Sequence, residues 1–199
     1  MNPSTPLAHS FSLLIAGAAL LSVGSAHASL VTNGGFETGT FAGWTLTGPA
    51  PFSLVDGVAA HSGNFAAAFG DAPDTPTTIS QLLDTQAGRS YRVSFWLQNL
   101  VAGDAAAPNV FSLNWDGGAV ELQLNDVGAF GYTPFTYIFA ASSASTPLAF
   151  SFGNFASYWD FDDVSAVREP ASFALVGAGL LACVAVNRRR KWTQASSVP

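Results

Sequence analysis

The chain has 199 residues and a formal net charge of −6, a length that suits one domain. Its charge is unevenly distributed, because residues 29–167 contain twelve acidic side chains and two basic ones, both arginine. This composition excludes nucleic acid as a partner, since phosphate contacts require lysine or arginine. The acidic charge instead favours divalent cations, or solubility through self-repulsion. The single cysteine, Cys183, lies outside this segment, so the segment depends on its core, or on a core and a metal, without a disulfide.

The first 28 residues have the features of a cleaved export signal. Residues 11–24 (FSLLIAGAALLSVG) form an apolar run that is too short to span a bilayer comfortably. Ala26 and Ala28 then supply the small side chains of the A-x-A pattern that signal peptidase recognises before Ser29. We therefore predict a signal helix over residues 1–28. The alternative is a buried apolar helix of a cytosolic protein.

The C-terminal part of the chain predicts a single transmembrane helix. Residues 171–186 contain no charged side chain and precede a basic cluster that includes Arg188, Arg189 and Arg190. At about 1.5 Å per residue this stretch spans roughly 24 Å, and flanking residues, including snorkelling arginines, extend it toward a hydrocarbon core of about 30 Å. Basic clusters mark the cytoplasmic side of a membrane, so we expect residues 29–167 to lie outside the inner membrane.

Residues 168–191 resemble the PEP-CTERM sorting signal of Gram-negative bacteria. That signal consists of a Pro-Glu-Pro motif, a transmembrane stretch and an Arg-rich end, and it is recognised by an exosortase. Glu169 and Pro170 match the second and third motif positions, whereas Arg168 replaces the first proline. The resemblance implies exosortase processing at the inner membrane and delivery to the cell surface or to the extracellular matrix of a biofilm, with residues 192–199 as a cytoplasmic tail. The alternative is an ordinary C-terminal anchor that is not cleaved.

The middle of the chain has the two-residue periodicity of β-strands. In residues 91–98 (YRVSFWLQ) Tyr91, Val93, Phe95 and Leu97 point to one face, which places Trp96 on the opposite face. The same alternation recurs in residues 111–115, 120–124, 135–139 and 148–152. Asp-Gly at 56–57 and Asp-Gly-Gly at 116–118 are turn signals between such runs. About ten short strands predict an all-β sandwich or jelly roll, with Trp44 and Trp115 expected in its core.

Four short segments resemble the jelly-roll, galactose-binding-like domains of carbohydrate-binding modules. They are Asn33-Gly34-Gly35-Phe36-Glu37 with Gly43-Trp44, the turn His61-Ser62-Gly63-Asn64, the strand 91–97, and the closing Asp162-Asp163-Val164-Ser165. They occur in the order found in those modules and extend over nearly all of residues 30–167. The resemblance implies a jelly-roll domain for residues 29–167. An immunoglobulin-like sandwich is the alternative.

The same resemblance implies a structural calcium ion held by an acidic residue near the first strand and another on the last strand. Those positions correspond to Glu37 and Asp162, with Asp163 as an alternative ligand. Calcium takes six to eight oxygen ligands, and a sandwich whose first and last strands meet can supply carboxylates and loop carbonyls around one ion. The alternative is a solvated acidic edge that discourages strand aggregation.

Glycan binding is a second predicted use of this domain. Sugar rings stack on exposed aromatic side chains beside polar groups that bind hydroxyls. Trp96 lies among polar neighbours, and Tyr158 and Trp159 are adjacent just before the closing strand, so these three rings are the candidates. The alternative for each is packing under a loop or a covering strand.

The sequence offers few catalytic candidates. His61 is the one histidine that remains after signal removal, and it lies in a predicted turn. Neighbouring strand residues face opposite sides of a sheet, so Asp162 and Asp163 are not expected to act as a pair on one substrate. We therefore predict a non-enzymatic structural or adhesive protein of the envelope or exopolysaccharide. A carbohydrate-binding module and a matrix-acting glycoside hydrolase are the alternatives, because one fold serves all three roles.

Overall fold

The computed structural model describes residues 28–104, 106–155 and 157–170. Nearly all of the predicted signal peptide, the predicted transmembrane helix with its arginine cluster, and residues 192–199 lie outside the described residues. The domain boundaries proposed for the two ends therefore stay predictions. Within the described residues, no helix has the length and apolar character needed to cross a membrane.

The described part of the chain folds into ten β-strands. They are β1 (Thr45–Thr47), β2 (Ser53–Asp56), β3 (Ala66–Phe69), β4 (Thr77–Asp84), β5 (Ser90–Asn99), β6 (Asn109–Trp115), β7 (Val120–Asn125), β8 (Phe130–Ala140), β9 (Ser145–Asn154) and β10 (Trp159–Arg168). Every pairing is antiparallel, in one sheet of order β1-β4-β9-β6-β7 and a second of order β2-β3-β10-β5-β8. The prediction of an all-β, two-sheet sandwich is confirmed.

Aromatic side chains fill the space between the two sheets. Phe95 of β5 is buried, and its ring centroid lies 5.2 to 5.7 Å from those of Phe111, Phe150 and Phe161. These rings come from both sheets, because alternate side chains of each strand point inward. Each fully buried ring contributes roughly 1.5–3 kcal/mol to stability, which explains how a domain without disulfides is held together.

Two tryptophans predicted to lie in the core are found there. Trp44 and Trp115 are buried, and each indole N–H donates a hydrogen bond to a backbone carbonyl, that of Asn33 at 3.1 Å and that of Ala140 at 2.9 Å. Burial of a tryptophan is favourable when its one polar atom is satisfied in this way.

The N-terminal segment of the described chain runs alongside the second half of β10. The Leu30 N–H donates to the Ala166 carbonyl at 2.8 Å, and the Val164 N–H donates to the Gly34 carbonyl at 2.9 Å. The contact at Gly34 is so close that a Cβ atom there would lie 2.0 Å from the Val164 carbonyl oxygen, so this position requires glycine. The opening and closing segments of the domain therefore meet.

Candidate functional site

The outer face of the second sheet carries an unusual set of polar side chains. In the register between β5 and β10, Gln98 lies opposite Asp160 and Trp96 lies opposite Asp162. All four point away from the core, because the intervening Leu97 and Phe161 are its buried members. The orientation predicted for Trp96 is thus confirmed.

The β2–β3 loop, residues 57–65, crosses this face from one edge strand toward the other. Tyr132 of β8 donates a hydrogen bond from its hydroxyl to the Ala59 carbonyl at 2.6 Å. The His61 ring stacks on Trp96, with centroids 3.8 Å apart and planes inclined by 20°. The loop therefore divides the outer face into a covered end, beneath His61, and an open groove on the other side.

Asp162 anchors the loop at the covered end. Its carboxylate has no exposed surface and accepts hydrogen bonds from the N–H groups of His61 at 2.9 Å, Ser62 at 3.1 Å and Asp163 at 2.7 Å. Burial raises the pKa of Asp162, and the hydrogen bonds from Ser62, Asp163 and His61 oppose that rise. The Asp162 carboxylate therefore replaces the water that the His61 and Ser62 N–H groups of the loop lose on burial.

Asp163 departs from the alternation expected of a strand. Its φ is 53°, and the register of β10 against β5 shifts between Asp162 and Ser165, so a bulge turns its side chain. The Asp163 carboxylate lies 2.7 Å from His61 Nδ1 and accepts a hydrogen bond of 2.7 Å from the Ser62 hydroxyl. The expectation that Asp162 and Asp163 face opposite sides is wrong, because one ligand atom from each and one from His61 lie within 4.8 Å of one another.

Glu37 lies at the same end of the domain, but its carboxylate is directed elsewhere. It accepts hydrogen bonds from the backbone N–H groups of Asn64 at 2.9 Å and Phe65 at 3.1 Å, and these bonds lower its pKa. A Cβ atom on Gly35 would lie 3.7 Å from Glu37 Cγ, 3.7 Å from Asp163 Oδ1 and 3.8 Å from Asp162 Oδ1. The three residues predicted to bind calcium therefore surround one glycine.

The donor set at this covered end suits a hard cation. The carboxylates of Asp162 and Asp163 and the Ser62 hydroxyl supply oxygen atoms, which calcium prefers, and His61 Nδ1 is the exception. Each carboxylate is also engaged by hydrogen bonds from the β2–β3 loop or from the adjacent backbone. An ion at this position would therefore add to an arrangement that protein hydrogen bonds already organise.

The open groove has a volume of ≈ 390 Å³. It is lined by Leu54, Asp56, Val58, Ala59, Ala68, Gln98, Leu100, Tyr158 and Asp160. One adjoining cleft of ≈ 300 Å³ shares Gln98 and Leu100 with it and extends to Gly131 on β8. The groove and this cleft together cross all five strands, and with strands about 4.8 Å apart they extend over roughly 19 Å. The groove therefore suits an elongated ligand that lies across the strands.

Asp160 lies in the floor of the open groove. It is 2% exposed, and its one hydrogen bond to a described side chain comes from Gln98 Nε2 at 3.3 Å. Burial, together with the nearby negative charge of Asp56, raises the pKa of Asp160 to about 6. The loss of hydration at the buried Asp160 carboxylate is therefore offset by only one long hydrogen bond from a described side chain.

An aromatic cluster lies at one end of the groove, and sequence reasoning found only part of it. Tyr158, a predicted glycan-binding residue, is half-buried and lines both the groove and a second cleft of ≈ 300 Å³. Phe52 and Phe155 line that second cleft and are 50% and 59% exposed. Both phenylalanines lie beside strand ends, where exposure cannot be read from strand periodicity.

The other two predicted glycan-binding rings are placed differently. Trp159 is 0% exposed, and its indole N–H donates to the Gly153 carbonyl at 3.1 Å, so it is a core residue with no face available to a sugar. Strand β10 begins at this residue, and its first side chain points inward. Trp96 is half-buried, and the His61 ring lies over the face that a sugar would need.

The residues of the predicted sorting motif are only partly described. Glu169 lies just after β10, where its N–H donates to the Ser90 carbonyl at 2.9 Å and its carboxylate forms an ion pair of 2.7 Å with Arg92. Pro170 is the last described residue. Arg188, Arg189 and Arg190 lie outside the described residues.

The fold resembles that of carbohydrate-binding modules, although no protein-family profile and no curated protein matches the chain. A family 61 carbohydrate-binding module, solved in complex with β-1,4-galactotriose, is 22% identical, with a TM-score of 0.53 over 71% of this chain and 99% of that module. A tandem of two family 22 modules from Paenibacillus barcinonensis is 18% identical, with a TM-score of 0.50 over 72% of this chain and 47% of the tandem.

A different type of protein contains the same fold. The enzymatically active domain of a tailspike protein from bacteriophage CBA120 is 11% identical, with a TM-score of 0.51 over 71% of this chain and 21% of that one. At these identities the similarity establishes the fold alone. The described domain is therefore an all-β, two-sheet jelly-roll sandwich whose fold resembles that of carbohydrate-binding modules, and the predicted fold is confirmed at that level.

Proposed function

We propose that this domain binds a polysaccharide in the open groove of its second sheet. The observation that carries the proposal is a groove that, with its adjoining cleft, crosses five strands and has Gln98 and Asp160 in its lining and exposed aromatic rings at one end. Amide and carboxylate groups can bind sugar hydroxyls, while Tyr158 and Phe155 provide apolar faces for sugar rings. The fold supports the same function, which the sequence had suggested as an alternative to a structural or adhesive role.

We propose that the domain binds the polysaccharide without catalysing a reaction on it. The carboxylates of Asp162 and Asp163, which lie close together, hold the β2–β3 loop by hydrogen bonds and sit beneath it. Asp160 lines the groove beside an amide group, an arrangement suited to holding a ligand in place. A structural or adhesive role in the envelope or matrix remains compatible with such binding, because adhesion to an exopolysaccharide requires a glycan-binding surface.

We also propose that the chain is exported and sorted to the cell surface or extracellular matrix. This proposal rests on the sequence, namely the signal-like residues 1–28 and the PEP-CTERM-like residues 168–191. Signal peptidase and an exosortase are the processing partners that it implies. Intact-mass analysis of the protein recovered from the native cell surface tests it, because both ends of the chain should be shortened.

Calcium binding at the covered end is proposed as a structural addition. Asp162 and Asp163 would hold the ion, and Glu37 would join them if its carboxylate turned from Asn64 and Phe65, which would tie the N-terminal segment to β10. Binding to the folded state alone would stabilise the domain.

Affinity electrophoresis through gels that contain soluble polysaccharides tests the proposed carbohydrate binding. The panel should include xylan, β-glucan, galactan and the exopolysaccharide of the producing strain. We expect at least one polymer to retard the purified domain, and Tyr158→Ala or Phe155→Ala to weaken that retardation about tenfold, as expected for the loss of one stacked ring. Ile138→Ala, which removes an exposed apolar side chain far from the groove, is the matched control. Migration that no polymer alters would contradict the proposal, as would equal retardation of all three variants.

A further inference from the structure

Charge in the groove narrows the class of polysaccharide that it can bind. The charged side chains that line the groove and its two adjoining clefts, among the described residues, are Asp56 and Asp160. The described arginines lie elsewhere; Arg92, for example, is paired with Glu169 at 2.7 Å. A groove with this lining repels uronic acids and other anionic sugars.

Asp160 is poorly compensated for a buried carboxylate. Its neighbour Asp162 on the same strand accepts three backbone N–H groups, whereas Asp160 receives one long hydrogen bond from an uncharged amide. Buried carboxylates are stable when they are paired with a cation or well hydrogen-bonded. Because the side chain lines the groove, a bound ligand can supply the missing partner.

We propose that the groove binds a polysaccharide with free amino groups, in which the ammonium of one sugar unit pairs with the Asp160 carboxylate while Asp56 adds negative potential. This inference rests on the carbohydrate-binding function proposed above and specifies its ligand class. The acidic surface of the domain supports it further, because residues 29–167 hold twelve acidic side chains against two arginines and therefore attract a cationic polymer over some distance. Gln98, beside Asp160, can bind the hydroxyls of the same sugar unit.

The test compares three tetrasaccharides with the same β-1,4 linkage and length that differ in the substituent at carbon 2. These probes are the glucosamine tetramer, the N-acetylglucosamine tetramer and cellotetraose, and tetragalacturonate serves as an anionic probe. Isothermal titration at near-neutral pH should give at least tenfold tighter binding of the glucosamine tetramer than of cellotetraose. Added salt should reduce that preference, because it screens an ion pair in an open groove.

Two variants test whether the preference for the glucosamine tetramer arises in the groove. Asp160→Asn should abolish the preference for the glucosamine tetramer over cellotetraose while leaving the circular dichroism spectrum unchanged. Asp84→Asn, which removes an exposed carboxylate from the other sheet, should leave the preference intact.

The outcomes separate this inference from the proposed function. Equal binding of the three tetrasaccharides, or a preference that survives Asp160→Asn, overturns the amino-sugar inference and leaves carbohydrate binding standing. A wild-type domain that binds none of the probes and no polysaccharide of the electrophoresis panel overturns both.

Discussion

The outer face of the second sheet buries one carboxylate at each of its two ends, and the two carboxylates differ in how many hydrogen bonds they accept. At the covered end Asp162 is enclosed by the β2–β3 loop and accepts three backbone N–H groups. Two residues earlier on the same strand, Asp160 is almost as buried but has one long hydrogen bond from Gln98. The difference indicates that Asp162 stabilises the loop, whereas in the proposed function Asp160 would bind a ligand at some cost to the stability of the fold.

The loop couples these two ends. Its middle residues, His61 and Ser62, are held by the acidic cluster, while Val58 and Ala59 form a wall of the groove. Any change that releases His61 should therefore alter the groove as well.

Removal of the Asp162 side chain should produce the largest loss of stability. Asp162→Ala leaves three N–H groups without an acceptor, and we expect the free energy of unfolding to fall by about 3 kcal/mol. Urea denaturation measures this change, with Asp84→Ala as the control for the loss of an exposed carboxylate. Limited proteolysis should show new cleavage within residues 57–65. Equal stability of the two variants would mean that the loop is held by other contacts.

Trp96 should contribute to stability and only indirectly to sugar binding. Trp96→Ala removes the surface on which His61 stacks, and we expect a loss of about 2 kcal/mol, less than for a ring in the core. Polysaccharide affinity should fall much less than in Tyr158→Ala, measured by the same electrophoresis. The reverse order would show that Trp96 contacts the sugar and that the loop opens on binding.

Much of the fold could be predicted from the sequence because it depends on alternation. The core positions of β5, the burial of Trp44 and Trp115, and the meeting of the opening segment with β10 all follow from the strand period and from resemblance. The core positions repeat along each strand, so a one-dimensional pattern records them, whereas the meeting of the two ends is a long-range contact that only the resemblance could indicate.

The site was less predictable because it depends on departures from that pattern. Asp163 changes face at a bulge, and nothing in the sequence Asp-Asp-Val-Ser fixes where a bulge occurs. Trp96 points outward as predicted, but its covering by His61 arises from the path of a loop, which alternation does not determine. Phe52 and Phe155 belong to strand ends and loops, where periodicity carries no information on exposure.

Asp160 should make stability depend on pH in a direction opposite to that of a salt-bridged carboxylate. Its pKa is raised from 3.8 to about 6, so between these pH values the folded state binds a proton that the unfolded state has lost. Stability is therefore full below about pH 4 and declines as the pH rises through 6. Asp160→Asn should be more stable than the wild type at pH 7 by about 1–2 kcal/mol, after allowance for screening in an open groove. Urea denaturation at both pH values measures the difference, which should vanish near pH 4. An unchanged difference across this range would mean that Asp160 is charged and well compensated in the folded state.

Calcium should produce the smallest effect, because hydrogen bonds already organise the covered end. At a free concentration ten times its dissociation constant, an ion that binds the folded state alone stabilises it by about 1.4 kcal/mol. The midpoint of thermal unfolding should therefore rise with calcium and fall with chelator at matched ionic strength. Asp163→Asn should remove this response, whereas Asp160→Asn should retain it, because Asp160 lies in the groove and not beside Gly35. Loss of the calcium response in Asp160→Asn alone would place the cation in the groove. An unchanged midpoint in the wild type would mean that the covered end is stabilised by the hydrogen bonds of the loop and not by calcium. The first result would also bear on the amino-sugar inference, since a metal ion bound at Asp160 would compete with an ammonium group for the same carboxylate.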